Sequence, residues 1–203
     1  MDKKKGLLIL SLVLVVLIVG ASVLYARLGD TAKPDQLQLD GGTTTAASGT
    51  TTTGGGTTTA PPTHAAPDFT AYTAAGEAVK LSDYVGRPIV LNFWASWCGP
   101  CQSEMPDFDE KYKALGDKVQ FLMVNMTDGS RETLDKAKTF VEDEGFSFPV
   151  FYDVNYVAAI TYGVSSLPTT YFIASDGTLV AYGMGAIDGE TLQRGIDMIY
   201  TDE

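Results

Sequence analysis

A charge-free tract rich in threonine and glycine divides the chain and limits the part that can fold around a core. Residues 41–67 contain no Asp, Glu, Lys or Arg, and from Gly41 to Thr63 there are eleven Thr and six Gly. Such a segment has almost no large apolar side chains, so it cannot offset the entropy cost of ordering. We therefore predict a disordered tether over residues 30–66, acting as a spacer, and a folded domain over residues 67–203.

An uncharged apolar run near the N-terminus is long enough to cross a membrane. Residues 7–25 carry no charge and consist largely of Leu, Val and Ile, and about 20 such residues in a helix span a ~30 Å hydrocarbon core. Basic residues 3–5 precede the run, which predicts the N-terminus inside. We expect an uncleaved single-pass anchor over residues 1–29 in the cell membrane, with the domain on the extracytoplasmic side. A cleaved signal peptide is the alternative, and it delivers the domain to the same side.

Charge and cysteine content exclude several classes of function. The chain has 14 Lys and Arg against 25 Asp and Glu, one His and two Cys, and its formal net charge is −11. Nucleic-acid binding through phosphates needs clustered basic residues, so we expect no nucleic-acid partner. Two Cys and one His cannot supply the four ligands of a Cys/His zinc site. We expect no metal and no cofactor, and the two cysteines must act as one pair.

Strand and helix patterns alternate along the predicted domain. Continuous apolar runs are typical of strands buried on both faces, and apolar residues at helical spacing indicate helices between them. The strands are predicted at 78–81, 88–94, 119–126, 150–152, 169–174 and 178–182, and the helices at 99–115, 131–144, 155–162 and after Asp188. For the helix at 131–144, Ser130 or Asp128 is the predicted cap and Gly145 the stop. This order predicts an α/β domain with a mixed central sheet flanked by helices on both faces.

The segment Trp97-Cys98-Gly99-Pro100-Cys101 follows a predicted buried strand and opens a predicted helix. A cysteine at a helix N-terminus faces unpaired backbone N–H groups and the positive end of the helix dipole, which stabilise its thiolate. We therefore assign the attacking role to Cys98, and Cys101, about one turn later, the role of resolving the mixed disulfide. A structural disulfide and half of a metal site are the alternatives. A disulfide closing so short a loop contributes little stability, and further metal ligands are missing.

Residues 92–101, Asn-Phe-Trp-Ala-Ser-Trp-Cys-Gly-Pro-Cys, resemble the active-site segment of thioredoxin-fold oxidoreductases. With a tethered domain outside the cytoplasm, the chain resembles the TlpA/ResA-like membrane-anchored thiol–disulfide oxidoreductases. The resemblance covers roughly residues 67–203, and the helix and strand between Ser130 and Tyr152 match that family's insertion relative to thioredoxin. It implies a thioredoxin-like fold preceded by a transmembrane helix, with a dithiol–disulfide cycle at Cys98 and Cys101.

The resemblance also implies that Pro168 lies beside the active disulfide. Leu167-Pro168-Thr169 precedes a predicted strand, where thioredoxin-like proteins hold a cis-proline, and X-Pro is the bond at which the cis form costs least. Pro168 has no N–H to donate, and the backbone of Leu167 can pair with an extended substrate segment. An ordinary proline at the start of a strand is the alternative. The residues assigned to substrate contact are Trp97, Gly99, Pro100 and Leu167.

Glu104 is the candidate for moving protons at Cys101. It lies three residues beyond Cys101, hence on the same helix face, and it matches a glutamate that the family places near its cysteine pair. Thioredoxin has a buried Asp at the position of Asn92, and an amide there cannot exchange protons. A solvated helix glutamate is the alternative.

The favoured function is reduction of disulfides in exported proteins. The Gly-Pro between the cysteines matches thioredoxin, whose couple is strongly reducing at about −270 mV. The resemblance implies a membrane electron-relay protein linked to cytoplasmic thioredoxin as the reductant, and apocytochrome c as one substrate; we expect a monomer.

Three alternatives remain open at the level of sequence. The first is a peroxiredoxin-like peroxidase, which wants Thr or Ser three residues before its reactive Cys, where this chain has Ala95. A non-enzymatic copper chaperone on the same fold wants C-x-x-x-C and a distant His, and the predicted domain has neither. A redox-inert adhesion module is the third, and it is separated from the others by titration of the two thiols.

Overall fold

The structure is a computed structural model that describes residues 37–39 and 64–201, and these residues form one mixed sheet of nine strands. The strands are β1 (Leu37–Leu39), β2 (His64–Ala65), β3 (Thr70–Tyr72), β4 (Ala78–Lys80), β5 (Ile89–Trp94), β6 (Gln120–Asn125), β7 (Val150–Tyr152), β8 (Thr169–Ile173) and β9 (Thr178–Met184). Their order in the sheet is β1-β9-β8-β5-β6-β7-β3-β4, and β2 also pairs with β9. Strands β5, β6 and β7 run parallel, whereas β8 is antiparallel to both β5 and β9.

Helices cover both faces of this sheet. They are α1 (Gly99–Leu115), α2 (Leu134–Glu144), α3 (Val157–Thr161) and α4 (Gly189–Ile199), with a 3₁₀ helix at Leu81–Tyr84. Buried side chains of α1, α2 and α4 form the core on one face, and those of α3 and the 3₁₀ helix join the core on the other. The predicted α/β architecture, a mixed sheet between helices, is confirmed.

The central strand β5 determines where the cysteine pair lies. All six of its side chains are buried, as expected for a strand covered on both faces. Val90 and Trp94 pack in the core that contains α1, and Leu91 and Phe93 pack in the other, because successive side chains point to opposite faces. Beyond Trp94 a short loop leads into α1, so the cysteines lie at the carboxyl edge of the parallel strands.

The start of α2 differs from the prediction. The sequence predicts a helix from residue 131 capped by Ser130 or Asp128, whereas α2 begins at Leu134 with Thr133 as its cap. The Asp128 carboxylate accepts hydrogen bonds from the N–H groups of Ser130, at 2.6 Å, and Glu132, at 2.9 Å. These bonds hold residues 128–132 in a turn, and the Thr133 hydroxyl accepts from Lys136 N at 3.3 Å instead.

The predicted tether contains two pieces of sheet, which corrects the expectation of disorder over all of residues 30–66. Leu37–Leu39 and His64–Ala65 both pair antiparallel with β9. An edge strand leaves backbone N–H and C=O groups without partners, and these segments satisfy them; Leu37 also buries its side chain in the core. Residues 30–36 and 40–63 of the tether and the predicted anchor over 1–29 lie outside the described residues. Within the described residues, no helix combines the length and apolar character needed to cross a bilayer.

Candidate active site

Cys98 and Cys101 form a disulfide at the first turn of α1, with 5.2 Å between their Cα atoms. Cys98 is the N-cap residue, and its sulfur accepts a hydrogen bond from Cys101 N at 3.2 Å. Cys98 keeps 4% of its surface exposed, whereas Cys101 has none. A partner disulfide can therefore approach Cys98 and not Cys101.

Cys98 lies at the N-terminus of α1, in the thiolate-stabilising environment that the sequence predicts. The first N–H groups of a helix lack intrahelical partners and carry the positive end of the dipole, and both stabilise an anion at the cap position. Gly99 and Pro100 occupy the first helical positions, where the missing N–H of proline costs no helical bond. This geometry favours the thiolate of Cys98 once the disulfide is reduced.

A groove of about 410 Å³ opens beside the exposed edge of Cys98. Its lining includes the four residues predicted for substrate contact, which the fold brings together from β5–α1 and from the segment before β8. These residues are Trp97, Gly99, Pro100 and Leu167. Their contact with substrate stays a prediction, and the groove gives it a location.

Pro168 follows this lining and immediately precedes β8. The Leu167–Pro168 peptide bond is cis, as the family resemblance implies. The Pro168 carbonyl accepts a hydrogen bond from Gly185 N at 2.9 Å, so the loop before β8 is tied to the end of β9. The catalytic role of Pro168 stays a prediction.

Glu104 is buried in α1, with 2% of its surface exposed. Asn92 Nδ2 donates to its Oε1 at 2.8 Å, and Ile187 N donates to its Oε2 at 2.9 Å. Burial raises the pKa of Glu104 to about 8, even though the hydrogen bonds from Ile187 and Asn92 lower it. The alternative of a solvated helix glutamate is therefore wrong, because the side chain is in the interior.

Two hydrogen bonds from Asn92 connect Glu104 to β8, the strand after Pro168. Asn92 Nδ2 also donates to Thr170 Oγ1 at 3.0 Å, and Asn92 and Thr170 are register partners on β5 and β8. General acid–base groups work best when their pKa lies near the operating pH. A carboxyl group with a pKa of about 8, one helical turn beyond Cys101, meets that requirement.

Sequence reasoning missed two residues of this site, Arg131 and Glu132. The Arg131 guanidinium lies over the Trp97 ring, 3.5 Å from its centroid, and the Glu132 carboxyl is fully buried and bonded to Ser96. Both lie in the segment predicted as the first turn of a helix. The Asp-Gly-Ser run at 128–130 is a turn signal that could have separated them from α2.

The described residues contain no group of three or more His, Cys, Asp or Glu side chains arranged to hold a metal ion.

Comparison with known proteins gives relatives of one kind. The AhpC/TSA family model matches residues 62–182. The chain is 32% identical over 133 residues to the thioredoxin-like protein YneN of Bacillus subtilis, covering 66% of this chain and 77% of that protein. It is 37% identical over 131 residues to the thiol-disulfide oxidoreductase ResA of Bacillus anthracis, covering 63% of this chain and 72% of that protein.

Solved structures agree with the sequence relatives. StoA from Bacillus subtilis superposes with a TM-score of 0.55 at 26% identity, covering 64% of this chain and 96% of StoA. A thiol:disulfide interchange protein DsbE from Chlorobium tepidum superposes with a TM-score of 0.56 at 33% identity, covering 66% of this chain and 94% of that protein. With a disulfide at the start of α1 and these relatives, the chain belongs to the AhpC/TSA family and is, within it, a ResA-like thiol–disulfide oxidoreductase of thioredoxin fold.

Proposed function

We propose that this protein reduces disulfides in exported proteins, on the extracytoplasmic side of the cell membrane. The observation that carries the proposal is the site itself: a Cys-Gly-Pro-Cys pair at a helix N-terminus with the buried Glu104 carboxyl one turn beyond. The Gly-Pro dipeptide is that of thioredoxin, a reductant at about −270 mV. The uncharged run over residues 7–25 supports a membrane location.

The reaction moves two electrons through the cysteine pair. The Cys98 thiolate attacks one sulfur of the partner disulfide, forming a mixed disulfide and releasing the other partner sulfur as a thiolate that takes a proton. Cys101, deprotonated, then attacks Cys98 Sγ; the Cys98–Cys101 disulfide forms and the partner leaves with both sulfurs reduced. In the molecules in which Glu104 is ionised, its carboxylate accepts the Cys101 proton in this direction and returns it when the pair is reduced again.

A reductant outside the cytoplasm needs a supply of electrons. We propose a membrane electron-relay protein, itself reduced by cytoplasmic thioredoxin, that reduces the Cys98–Cys101 disulfide after each turnover. The haem-attachment cysteines of apocytochrome c are one substrate class that suits this chemistry. The relatives named thiol-disulfide oxidoreductase support exchange with a protein disulfide, and the groove beside Cys98 can take an extended substrate segment.

The equilibrium potential of the Cys98/Cys101 couple tests the proposal. Equilibration with glutathione buffers, followed by quantification of the two redox forms, should give a value near or below about −270 mV. A value near about −120 mV, that of a strong oxidant such as DsbA, would contradict a reductase role. Mixed disulfides trapped with Cys101→Ala then identify the substrate protein, since the resolving step is absent.

A further inference from the structure

The loop that carries Cys98 into α1 is held by a segment from elsewhere in the chain. Residues 95–97 connect β5 to Cys98, and the turn at residues 128–132 contacts this loop on two sides. The two segments are far apart in sequence, so the contact depends on the folded domain. The contacting residues of the turn are Arg131 and Glu132. Neither has been assigned a role at the site above, unlike the two cysteines, Pro168 and Glu104.

Glu132 fixes the backbone of the loop from the interior. Its Oε1 accepts from Ser96 N at 2.7 Å, and its Oε2 accepts from the Ser96 hydroxyl at 2.6 Å. Asn125 Nδ2, at the end of β6, donates to the same Oε1 at 2.6 Å. Glu132 is fully buried, and buried donors left without these bonds would be costly, because no water replaces the lost partner. The Glu132 carboxyl therefore joins the ends of two neighbouring strands through one side chain.

Arg131 holds the same loop from outside. Its guanidinium stacks on the ring of Trp97, 3.5 Å from the centroid, and both residues line the groove beside Cys98. Such a stack on an exposed ring is a weaker contact than the buried hydrogen bonds of Glu132. Because Arg131 and Glu132 are consecutive, any movement of the turn displaces Ser96 and Trp97 together.

We propose that Arg131 and Glu132 act as a clamp that positions Cys98 for attack and sets the reactivity of its thiolate. They are positioning residues, because they act through Ser96 and Trp97 and do not touch the sulfur. The inference rests on thiol–disulfide exchange at Cys98, not on the direction of electron flow or the compartment.

The physical link runs through the helix N-terminus. Cys98 Sγ accepts from Cys101 N at 3.2 Å, and this bond and the dipole stabilise a thiolate only while the cap residue keeps its place. Releasing the loop weakens that stabilisation, so the pKa of Cys98 rises and the dithiol form becomes less stable relative to the disulfide. The couple then becomes more reducing, while attack at neutral pH slows because less thiolate is present.

The experiment compares Glu132→Gln with Glu132→Ala in the full chain. Glutamine keeps an oxygen for Ser96 N and Asn125 Nδ2 and presents an amide that donates to the Ser96 hydroxyl, so it preserves the clamp. Alanine removes all three bonds. Ser96→Ala removes one of them and serves as the second variant if Glu132→Ala does not fold.

Asp109 provides a matched control. Its Oδ1 accepts from Ser147 N at 2.6 Å and from the Ser147 hydroxyl at 2.8 Å, which repeats the Glu132–Ser96 arrangement further along α1. Asp109→Ala removes the two Ser147 bonds, and with them an ion pair to Lys113, without touching the loop at 95–97. It should lower stability and leave the chemistry of Cys98 unchanged.

We expect Glu132→Ala, or Ser96→Ala in its place, to raise the Cys98 thiol pKa and to reduce the rate of mixed-disulfide formation at neutral pH. A misplacement of about 1 Å can cost on the order of 100-fold in rate, so a loss of ~10-fold or more is expected from Glu132→Ala. Glu132→Gln should stay within about 3-fold of the parent. Arg131→Ala should change the fluorescence of Trp97 and produce a smaller loss, since it removes the weaker contact.

The clamp is overturned if folded Glu132→Ala or Ser96→Ala keeps the parental thiol pKa and exchange rate, or if Asp109→Ala shifts them equally. The absolute potential of the parent decides the proposed direction of electron flow, whereas only the differences between variants decide this inference. The proposed reductase function and the clamp can therefore fail separately.

Discussion

The fold changes the acid–base chemistry of Glu104. An ordinary glutamate is ionised at neutral pH, whereas burial raises the pKa of Glu104 to about 8. Its carboxyl group lies between α1, the central strand and the loop before α4, bonded to Asn92 and Ile187. A proton is therefore held in the interior close to the pH at which thiols exchange.

The raised pKa of Glu104 makes stability depend on pH. Its ordinary value is 4.5 and its folded value about 8, so between these values the folded protein holds a proton that the unfolded chain releases. The contribution of Glu104 to the free energy of unfolding is thus greatest below pH 4.5. It decreases by up to about 5 kcal/mol as the pH rises to 8. Glu104→Gln should remove that decrease, measured as the difference in unfolding free energy from the parent across this pH range.

Glu104→Gln should also change the pH–rate profile of disulfide exchange. Asn92 can rotate its amide to accept from the new glutamine, so the fold persists while proton exchange with Cys101 is lost. We expect slower exchange and a shifted cysteine titration, with Glu110→Gln, an exposed change on the same helix, as control. Identical profiles for Glu104→Gln and the parent would remove Glu104 from the mechanism.

The residues of the site were predictable to the extent that their signal is local. Cys98, Cys101, Glu104 and Pro168 stand in short motifs with fixed spacing, and the structure places them where those motifs indicate. Glu132 has no such signal, because its burial depends on Ser96, 36 residues away in sequence. A charged residue in a polar segment is ordinarily solvated, and only tertiary contacts reverse that expectation.

At the scale of elements, α4 packs unusually close to β8. A Cβ added at Gly195 would lie 2.2 Å from Phe172 Cζ, which is far inside contact distance. Phe172 and the neighbouring Ile196 both belong to the core that contains α1. Glycine is therefore required at 195 for the last helix to cover the sheet.

Gly195→Ala should destabilise the domain. In an open helix the change from glycine to alanine stabilises by about 0.5–1 kcal/mol, but here the added methyl collides with Phe172 and forces repacking at a cost of about 1–3 kcal/mol or more. Denaturant unfolding of the parent and the variant measures whether the unfolding free energy falls or rises. A variant as stable as the parent, or more stable, would show that α4 does not pack this closely.

Elements with a clear apolar pattern were predictable from the sequence, including the three-residue strand at 150–152. The helix predicted at 99–115 and the strand at 150–152 have those bounds in the structure, as α1 and β7. β3 was missed because Thr70–Tyr72, unlike Val150–Tyr152, is not a continuous apolar run. The start of α2 was placed too early because Asp128 and Ser130 suit a helix cap as well as the turn that they actually form.

At the scale of the whole molecule, the N-terminal region contributes to the sheet. β1 and β2 pair with the same strand, β9, and run in the same direction along it. The composition of the tether indicated disorder because the Thr and Gly residues between these segments dominate it. Leu37 is the exception, since its side chain enters the core.

Leu37→Ala should therefore lower stability, whereas Leu39→Ala should not. Leu37 is 8% exposed and Leu39 is 71% exposed, so the two changes remove the same atoms from opposite environments. We expect a loss of about 2 kcal/mol for Leu37→Ala and less than about 0.5 kcal/mol for Leu39→Ala. Equal effects in denaturant unfolding would show that β1 does not dock on β9.

The most direct test of the account is the reactivity of the two thiols in the reduced protein. Alkylation with iodoacetamide across a pH series, with mass spectrometry to locate the label, measures the thiol pKa of each cysteine. We predict that Cys98 reacts first, with a pKa clearly below the ordinary value of about 8.5, because the N-terminus of α1 stabilises its thiolate. Faster labelling of Cys101, or an ordinary pKa at Cys98, would contradict the central claim that the helix terminus creates the nucleophile.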